Sequence, residues 1–287
     1  MSYVSGCSVS AVAALMIMAT ALGPQMANGQ QPTAIVEPAV ERYVVERGVS
    51  YYSDPADDYQ RERCVLDASW PTDADGFATV VWFHGGGLTG GERFIPRELQ
   101  EHGLAVVAPG YRLSPRVKSP VYVEDAAAAV AWAINHVEQH GGRRDRVFVA
   151  GHSAGGYLAT MVCWDKRWLA AHDLDADKLA GLISYSGQMV THSTIRGERS
   201  IPGSTPVVDD MAPLRHVRAD SLPSLLLTGD RDQDIAGRWE ANAYCLKMLL
   251  VNGHQDCALH ELQGFDHGTM VDPGHNLLIE FVRRIGE

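Results

Sequence analysis

The arrangement of apolar and polar residues changes along the chain, and from residue 79 onward two kinds of segment alternate. Short runs rich in β-branched apolar residues predict buried strands, and the longer amphipathic stretches between them predict helices. The predicted strands are residues 79–83, 105–108, 146–150, 182–185, 224–228 and 258–262, and the predicted helices are residues 121–140, 157–164, 236–251 and 276–285. This alternation is typical of an α/β fold with a mostly parallel central sheet flanked by helices.

Residues that directly follow strands are the first candidates for function, because such a sheet binds ligands outside the carboxyl ends of its strands. A G-x-S-x-G pattern occupies residues 151–155, after one predicted strand and before a predicted helix. In that context the serine sits in a strained turn that exposes its oxygen above the sheet, and the glycines leave room for the turn. The pattern predicts Ser153 as a catalytic nucleophile.

A second motif follows the first predicted strand, where residues 84–87 read His-Gly-Gly-Gly. Glycines at this place let backbone N–H groups approach a reacting carbonyl group. Each such donor is worth about 3 kcal/mol of transition-state stabilisation. We expect the N–H groups of Gly85 and Gly86, together with that of Ala154, to form an oxyanion hole.

A serine nucleophile also needs a base and an acid, which follow it in the chain order Ser, Asp, His in this kind of sheet. His267 comes shortly after the last predicted strand, so its imidazole should lie at the same sheet edge as Ser153. The acid should follow the preceding strand, where Asp230, Asp232 and Asp234 compete. We predict Asp232 as the acid, Asp230 as a loop-stabilising residue and Asp234 as a helix N-cap.

Composition and charge exclude some classes of protein. Of the 287 residues, 46% are hydrophobic and 21% are charged, which is typical of a soluble globular protein with ample core material. A formal net charge of −11, with no basic run to offset it, would repel a phosphate backbone. We therefore expect no nucleic-acid partner.

The N-terminal segment has a pattern of its own. Residues 11–22 form an apolar stretch that is too short to span a bilayer, followed by small and polar residues around Ala27 and Gly29. We predict a signal peptide over residues 1–29 and a single catalytic domain over residues 30–287, exported to the periplasm or secreted, with no stable membrane insertion. The alternative is a hydrophobic extension of a cytoplasmic enzyme.

These motifs, with the run Tyr-Arg-Leu-Ser-Pro at residues 111–115, carry a resemblance to a known family. From about residue 49 to residue 285 the chain resembles the esterase and lipase branch of the α/β-hydrolase superfamily that is related to hormone-sensitive lipase, especially small bacterial acetyl- and feruloyl-esterase-like enzymes. The resemblance implies the α/β-hydrolase fold and the triad Ser153, Asp232 and His267. One departure is Leu88, which follows the glycine loop where a bulky aromatic residue is usual.

The expected function is hydrolysis of a small-molecule carboxylic ester through an acyl-enzyme on Ser153, without a metal or an organic cofactor. Only residues 186–223 separate two of the predicted strands, so any cap is small and short acyl groups are the expected substrates. Two alternatives stay open: an arylformamidase that acts on N-formylkynurenine-type amides, and a hydrolase-fold binding protein that has lost catalysis. The sequence does not indicate an oligomeric state.

Overall fold

One eight-stranded sheet runs through the part of the chain that the computed structural model describes, residues 42–100 and 102–286. Its strands are β1 (Tyr43–Ser50), β2 (Val65–Pro71), β3 (Phe77–Phe83), β4 (Ala105–Pro109), β5 (Gly142–His152), β6 (Gly181–Tyr185), β7 (Ser224–Gly229) and β8 (Cys257–Leu262). Their spatial order is β1-β2-β4-β3-β5-β6-β7-β8. The pairs β1–β2 and β2–β4 are antiparallel and every other pair is parallel, which confirms the predicted mostly parallel sheet.

Helices flank this sheet. They are α1 (Asp58–Arg63), α2 (Val121–His136), α3 (Ala154–Trp164), α4 (Arg167–Ala170), α5 (Ser193–Glu198), α6 (Arg238–Val251) and α7 (Val271–Gly286), with short 3₁₀ turns at Arg97–Leu99, Val137–His140, Ala176–Lys178 and Pro213–His216. Strand side chains alternate between the two faces of the sheet. In β5, Val147 and Val149 pack in the same core as α2, α3 and α6, whereas Phe148 and Ala150 pack in the core that α7 covers.

The antiparallel edge was not predicted. In β1 the neighbouring residues Val44 and Val45 are both exposed, and the register with β2 shifts between Glu46 and Val49. Strand β1 therefore lacks the strict alternation of apolar and polar residues by which a half-buried strand is identified. Pattern alone gives no signal for such an edge.

Two helices begin earlier than predicted. Helix α7 starts at Val271 rather than residue 276, and α3 starts at Ala154 rather than residue 157. The early start of α3 matters for function, because the first N–H groups of a helix have no partner within it. The Ala154 N–H thus becomes available at the sheet edge.

The segment between β6 and β7 is the place where a cap would lie. Its regular structure is limited to α5 and to the 3₁₀ turn Pro213–His216, which agrees with the predicted small cap. The predicted signal peptide falls on residues outside the described ranges. Within the described ranges, no helix combines the length and the apolar character needed to cross a membrane.

Candidate active site

The turn between β5 and α3 presents Ser153 at the carboxyl end of the sheet. Its backbone has φ 57° and ψ −114°, a rarely populated conformation that costs on the order of 1–3 kcal/mol. The Ser153 N–H donates to the carbonyl of Tyr185 at 2.7 Å, which helps to hold the turn. A Cβ on Gly155 would lie 2.1 Å from the Phe83 carbonyl oxygen, so only glycine fits there. The turn is therefore the strained one that the G-x-S-x-G pattern predicts.

The imidazole of His267 faces this serine. Its Nε2 lies 2.9 Å from Ser153 Oγ, within the distance at which a base can accept the hydroxyl proton. The loop that carries His267 is held by His152, whose Nε2 donates to the His267 carbonyl oxygen at 2.7 Å. Burial lowers the pKa of His152 to about 4, so this neighbouring imidazole stays neutral. The structure thus brings Ser153 and His267 together, as expected from the sequence.

The carboxylate that meets His267 belongs to Asp234, and the prediction of Asp232 is wrong in this respect. His267 Nδ1 lies 2.7 Å from Asp234 Oδ1, and the Asp234 side chain is 1% exposed. Burial raises the pKa of Asp234, but the hydrogen bonds from His267 and Ser186 outweigh burial and lower it to about 2. Asp234 is therefore ionised wherever the imidazole can work as a base.

The physical reason for the error is the path of the loop after β7. Asp230 accepts hydrogen bonds from the N–H groups of Asp232 and Gly264, and this tight turn leaves the Asp232 side chain in solvent. The N–H of Asp234 donates to the Asp230 carbonyl at 2.7 Å, which closes a turn over residues 230–234. The side chain that points inward after this turn is that of Asp234. Asp230 thus stabilises the loop as predicted. Asp234 is no helix cap, since the N-cap of α6 is Gly237.

Ser186 completes the polar cluster, and sequence reasoning missed it. It is fully buried, its hydroxyl lies 2.8 and 3.0 Å from the two Asp234 carboxylate oxygens, and Oγ lies 3.0 Å from His267 Nδ1. Its φ of 46° is also in the left-handed region. Ser186 directly follows β6, so the rule that strand ends carry function would have identified it.

The glycine loop after β3 lies against Ser153. A Cβ on Gly85 would stand 3.4 Å from Ser153 Cβ, and Gly86 has φ 114° with room for no side chain. Among the described residues, none accepts a hydrogen bond from the N–H of Gly85, Gly86 or Ala154. These three N–H groups are therefore free to serve as the donors that an oxyanion hole would need.

Buried polar contacts fix this loop from behind. The ring of His84 stacks on Tyr111 at 4.4 Å between centroids, and the Tyr111 hydroxyl donates to the His84 carbonyl at 2.8 Å. The next residue, Arg112, binds both carboxylate oxygens of the fully buried Asp125, at 2.7 and 2.9 Å. The run at residues 111–115 therefore anchors the glycine loop to α2.

Helix α5 touches the same loop from the other side. The Thr194 hydroxyl donates to the Gly87 carbonyl, and His192, at the start of the helix, packs at 5.1 Å against the ring of Tyr157 in α3. The segment between β6 and β7 thus lies beside both the glycine loop and the helix that follows Ser153.

Comparisons with known proteins agree with this architecture. Residues 80–211 match a family model described as an alpha/beta hydrolase fold. The chain is 28% identical over 251 residues to esterase LipC of Mycobacterium tuberculosis, a match that covers 79% of this chain and 60% of LipC. It is 33% identical over 111 residues to ethyl acetate hydrolase of Pseudomonas putida, covering 37% of this chain and 34% of that protein. The chain therefore spans less than two thirds of the length of these relatives.

Solved structures share the fold. Esterase 2 of Thermogutta terrifontis, in a structure with propionate bound, superposes with a TM-score of 0.67 at 21% identity, covering 87% of this chain and 96% of that one. The chain is also 34% identical over 88 residues to hormone-sensitive lipase of Ictidomys tridecemlineatus, a match that covers 29% of this chain and 12% of that protein. The resemblance inferred from the motifs is thereby confirmed.

Proposed function

We propose that this chain, which has the α/β-hydrolase fold, hydrolyses carboxylic esters through an acyl-enzyme on Ser153. One observation carries the proposal: a continuous hydrogen-bonded path from Ser153 Oγ to His267 Nε2 at 2.9 Å, and from His267 Nδ1 to Asp234 at 2.7 Å. A nucleophile, a base and a buried acid in this order are the parts of a serine hydrolase.

In the proposed reaction His267 takes the Ser153 proton while Oγ attacks the acyl carbonyl carbon. The tetrahedral oxyanion accepts hydrogen bonds from the N–H groups of the glycine loop and of Ala154. The C–O bond to the alcohol then breaks, and the imidazolium returns its proton to the leaving oxygen. Water attacks the acyl-enzyme with His267 again as the base, which releases the acid and restores the Ser153 hydroxyl.

The acid and Ser186 orient the imidazole. Asp234 accepts the Nδ1–H, which keeps the lone pair of Nε2 directed at Ser153 and stabilises the imidazolium when it forms. The Ser186 hydroxyl donates to Asp234 and is a second acceptor for Nδ1–H, so it restricts the rotation of both side chains. We assign Ser186 the role of a positioning residue.

Short acyl groups are the proposed substrates. The segment between β6 and β7 contains only short helical elements, so little structure is present to enclose a long chain. Two comparisons support the same reading: one relative is named as an ethyl acetate hydrolase, and propionate is bound in the structure of Thermogutta terrifontis esterase 2.

The test is a series of p-nitrophenyl esters from acetyl to dodecanoyl, with N-formylkynurenine alongside and Ser153→Ala as the control. We expect the highest kcat/KM on acetyl or butyryl esters, and a loss of about 10⁴-fold or more in Ser153→Ala. Dominant turnover of the formamide would assign the chain to the arylformamidase alternative. Equal rates for wild type and Ser153→Ala would overturn the mechanism, and no turnover of any substrate would favour the binding-protein alternative.

A further inference from the structure

A cavity of about 310 Å³ lies beside the loop that carries the triad acid. It is formed between the segment that follows β6 and the residues that lead into α6. Its walls include Gln188, Val190, Arg196, Ser204, Ile235 and Arg238. The volume is at the lower end of the range of small-molecule sites in proteins.

Two buried guanidinium groups line this cavity. Arg196 is 4% exposed and Arg238 is 8% exposed. Within residues 42–100 and 102–286, neither group has a carboxylate within ion-pair distance, although most arginines of the chain do. Asp234 acts on Arg238 only at longer range, because its two oxygens bind His267, Ser186 and backbone N–H groups.

The hydrogen bonds of the two arginines are also incomplete. Arg238 donates one bond, from Nη1 to the Ser186 carbonyl, so four of its five N–H groups find no acceptor among the described residues. Arg196 donates from Nε and Nη1 to the carbonyls of Thr191, Gly203 and Thr205, which leaves its Nη2 without an acceptor there. Unpaired donors at the wall of a cavity are suited to an anionic ligand.

The free-energy cost of burying a charge also supports an anionic ligand in this cavity. A buried charge without a partner is strongly unfavourable, and natural proteins pair such charges or use them for binding. Burial lowers the pKa of Arg238 to about 10, so the group remains charged at neutral pH. A ligand carboxylate would supply the missing countercharge and accept two parallel hydrogen bonds from a guanidinium fork.

We propose that this cavity binds the carboxylate of a small molecule between Arg196 and Arg238, with the apolar part of the ligand against Val190 and Ile235. None of the residues that line the cavity belongs to the triad, and binding of a free acid there does not require the nucleophile. Arg238 also touches the backbone of Ser186, so an occupied site would be linked to the positioning of His267.

The experiment measures binding of butyrate by isothermal titration calorimetry at constant ionic strength, with butyramide as the neutral analogue. Ser204, exposed at the cavity wall, offers a matched pair of variants. Ser204→Asp places a carboxylate inside the cavity, whereas Ser204→Asn has the same shape without charge. We expect Ser204→Asp to weaken butyrate binding by about tenfold or more, and Ser204→Asn to leave it within about twofold of wild type. Arg196→Gln should weaken it to a similar degree.

The same titrations on Ser153→Ala separate this proposal from the catalytic one, because binding at the cavity does not need the nucleophile. Butyrate that binds no more tightly than butyramide would overturn the proposal. So would butyrate binding that Ser204→Asp and Arg196→Gln leave unchanged, since the ligand would then sit elsewhere, for example at the catalytic centre as a product.

A kinetic comparison identifies the source of the carboxylate. If it belongs to the substrate, the wild type should prefer p-nitrophenyl hemiglutarate over p-nitrophenyl valerate, and Ser204→Asp should reduce that preference about tenfold. If the carboxylate comes from a free acid, Ser204→Asp should leave the preference between the two esters unchanged, while butyrate binding is lost. Both outcomes support the site and differ only in what fills it.

Discussion

The structure and the sequence-based prediction differ most clearly in the residue that would act as the acid, Asp234 rather than Asp232. The variant Asp234→Asn tests this assignment. In wild type the Asp234 oxygen lies 2.7 Å from His267 Nδ1. Two unit charges at that separation interact by about 6 kcal/mol at an effective dielectric constant of about 20. Removing the charge should therefore raise the barrier by an amount that corresponds to about 10⁴-fold in kcat. The neutral amide also presents an N–H to the imidazole and favours the wrong tautomer.

Asp232→Asn is the matched control. Its side chain is exposed and makes no hydrogen bond within the described residues, so we expect kcat/KM within about twofold of wild type. The assay is hydrolysis of p-nitrophenyl acetate, with thermal melting of each variant to show that it is folded. A large loss in Asp232→Asn, with Asp234→Asn retaining a tenth or more of the activity, would refute the reasoning.

Three further predictions follow from buried polar groups. Ser186→Ala should lower kcat about tenfold with little change in KM, because the imidazole loses a group that restricts its rotation. A kcat within about twofold of wild type would reduce Ser186 to a packing role. Asp125→Asn leaves Arg112 without its carboxylate partner, so urea titrations should show a free energy of unfolding lower by about 3 kcal/mol. A loss below about 1 kcal/mol would contradict a structural role for the Arg112–Asp125 pair. Burial lowers the pKa of four histidines to between about 3 and 4, so they stay neutral in the folded chain but bind protons when unfolded below pH of about 6.5. The free energy of unfolding should fall as pH decreases from about 6.5 toward 4. Calorimetry in buffers of different ionisation enthalpy should show uptake of about three or more protons on unfolding at pH 5. Uptake below about one proton would contradict this prediction. These histidines are His84, His152, His192 and His275.

Much of the site could be predicted because its signals are local. The strained turn at Ser153 needs glycines on both sides, and the loop after β3 that packs against it also needs glycines, so both appear as short patterns in the sequence. His267 follows from chain order and from its position after the last strand. The sequence signal for each of these residues lies within a few positions of the strand that precedes it.

The acid could not be chosen in this way, because the choice depends on which side chain of a loop turns inward. Asp230, Asp232 and Asp234 are equivalent in type and occur at alternate positions. What distinguishes them is the turn closed by hydrogen bonds to Asp230, including one from the distant Gly264. A contact between the loop after β7 and the loop after β8 produces no recognisable sequence pattern in either loop.

The same limit applies to the arginine cavity. Arg196 and Arg238 are separated by a strand and two loops, and nothing in their local sequence indicates that both are buried without a carboxylate. Burial and pairing are tertiary properties, so a site formed by them becomes visible only when the chain is folded.

The most direct test of the central claim, that Ser153 is the nucleophile of this triad, is covalent labelling. Incubation with diethyl p-nitrophenyl phosphate, followed by intact-mass and peptide mass spectrometry, should show one diethylphosphoryl group per chain, located on Ser153, with activity lost in proportion to labelling. Asp234→Asn should be labelled much more slowly than Asp232→Asn. Labelling at another residue, or loss of activity without modification of Ser153, would contradict the account.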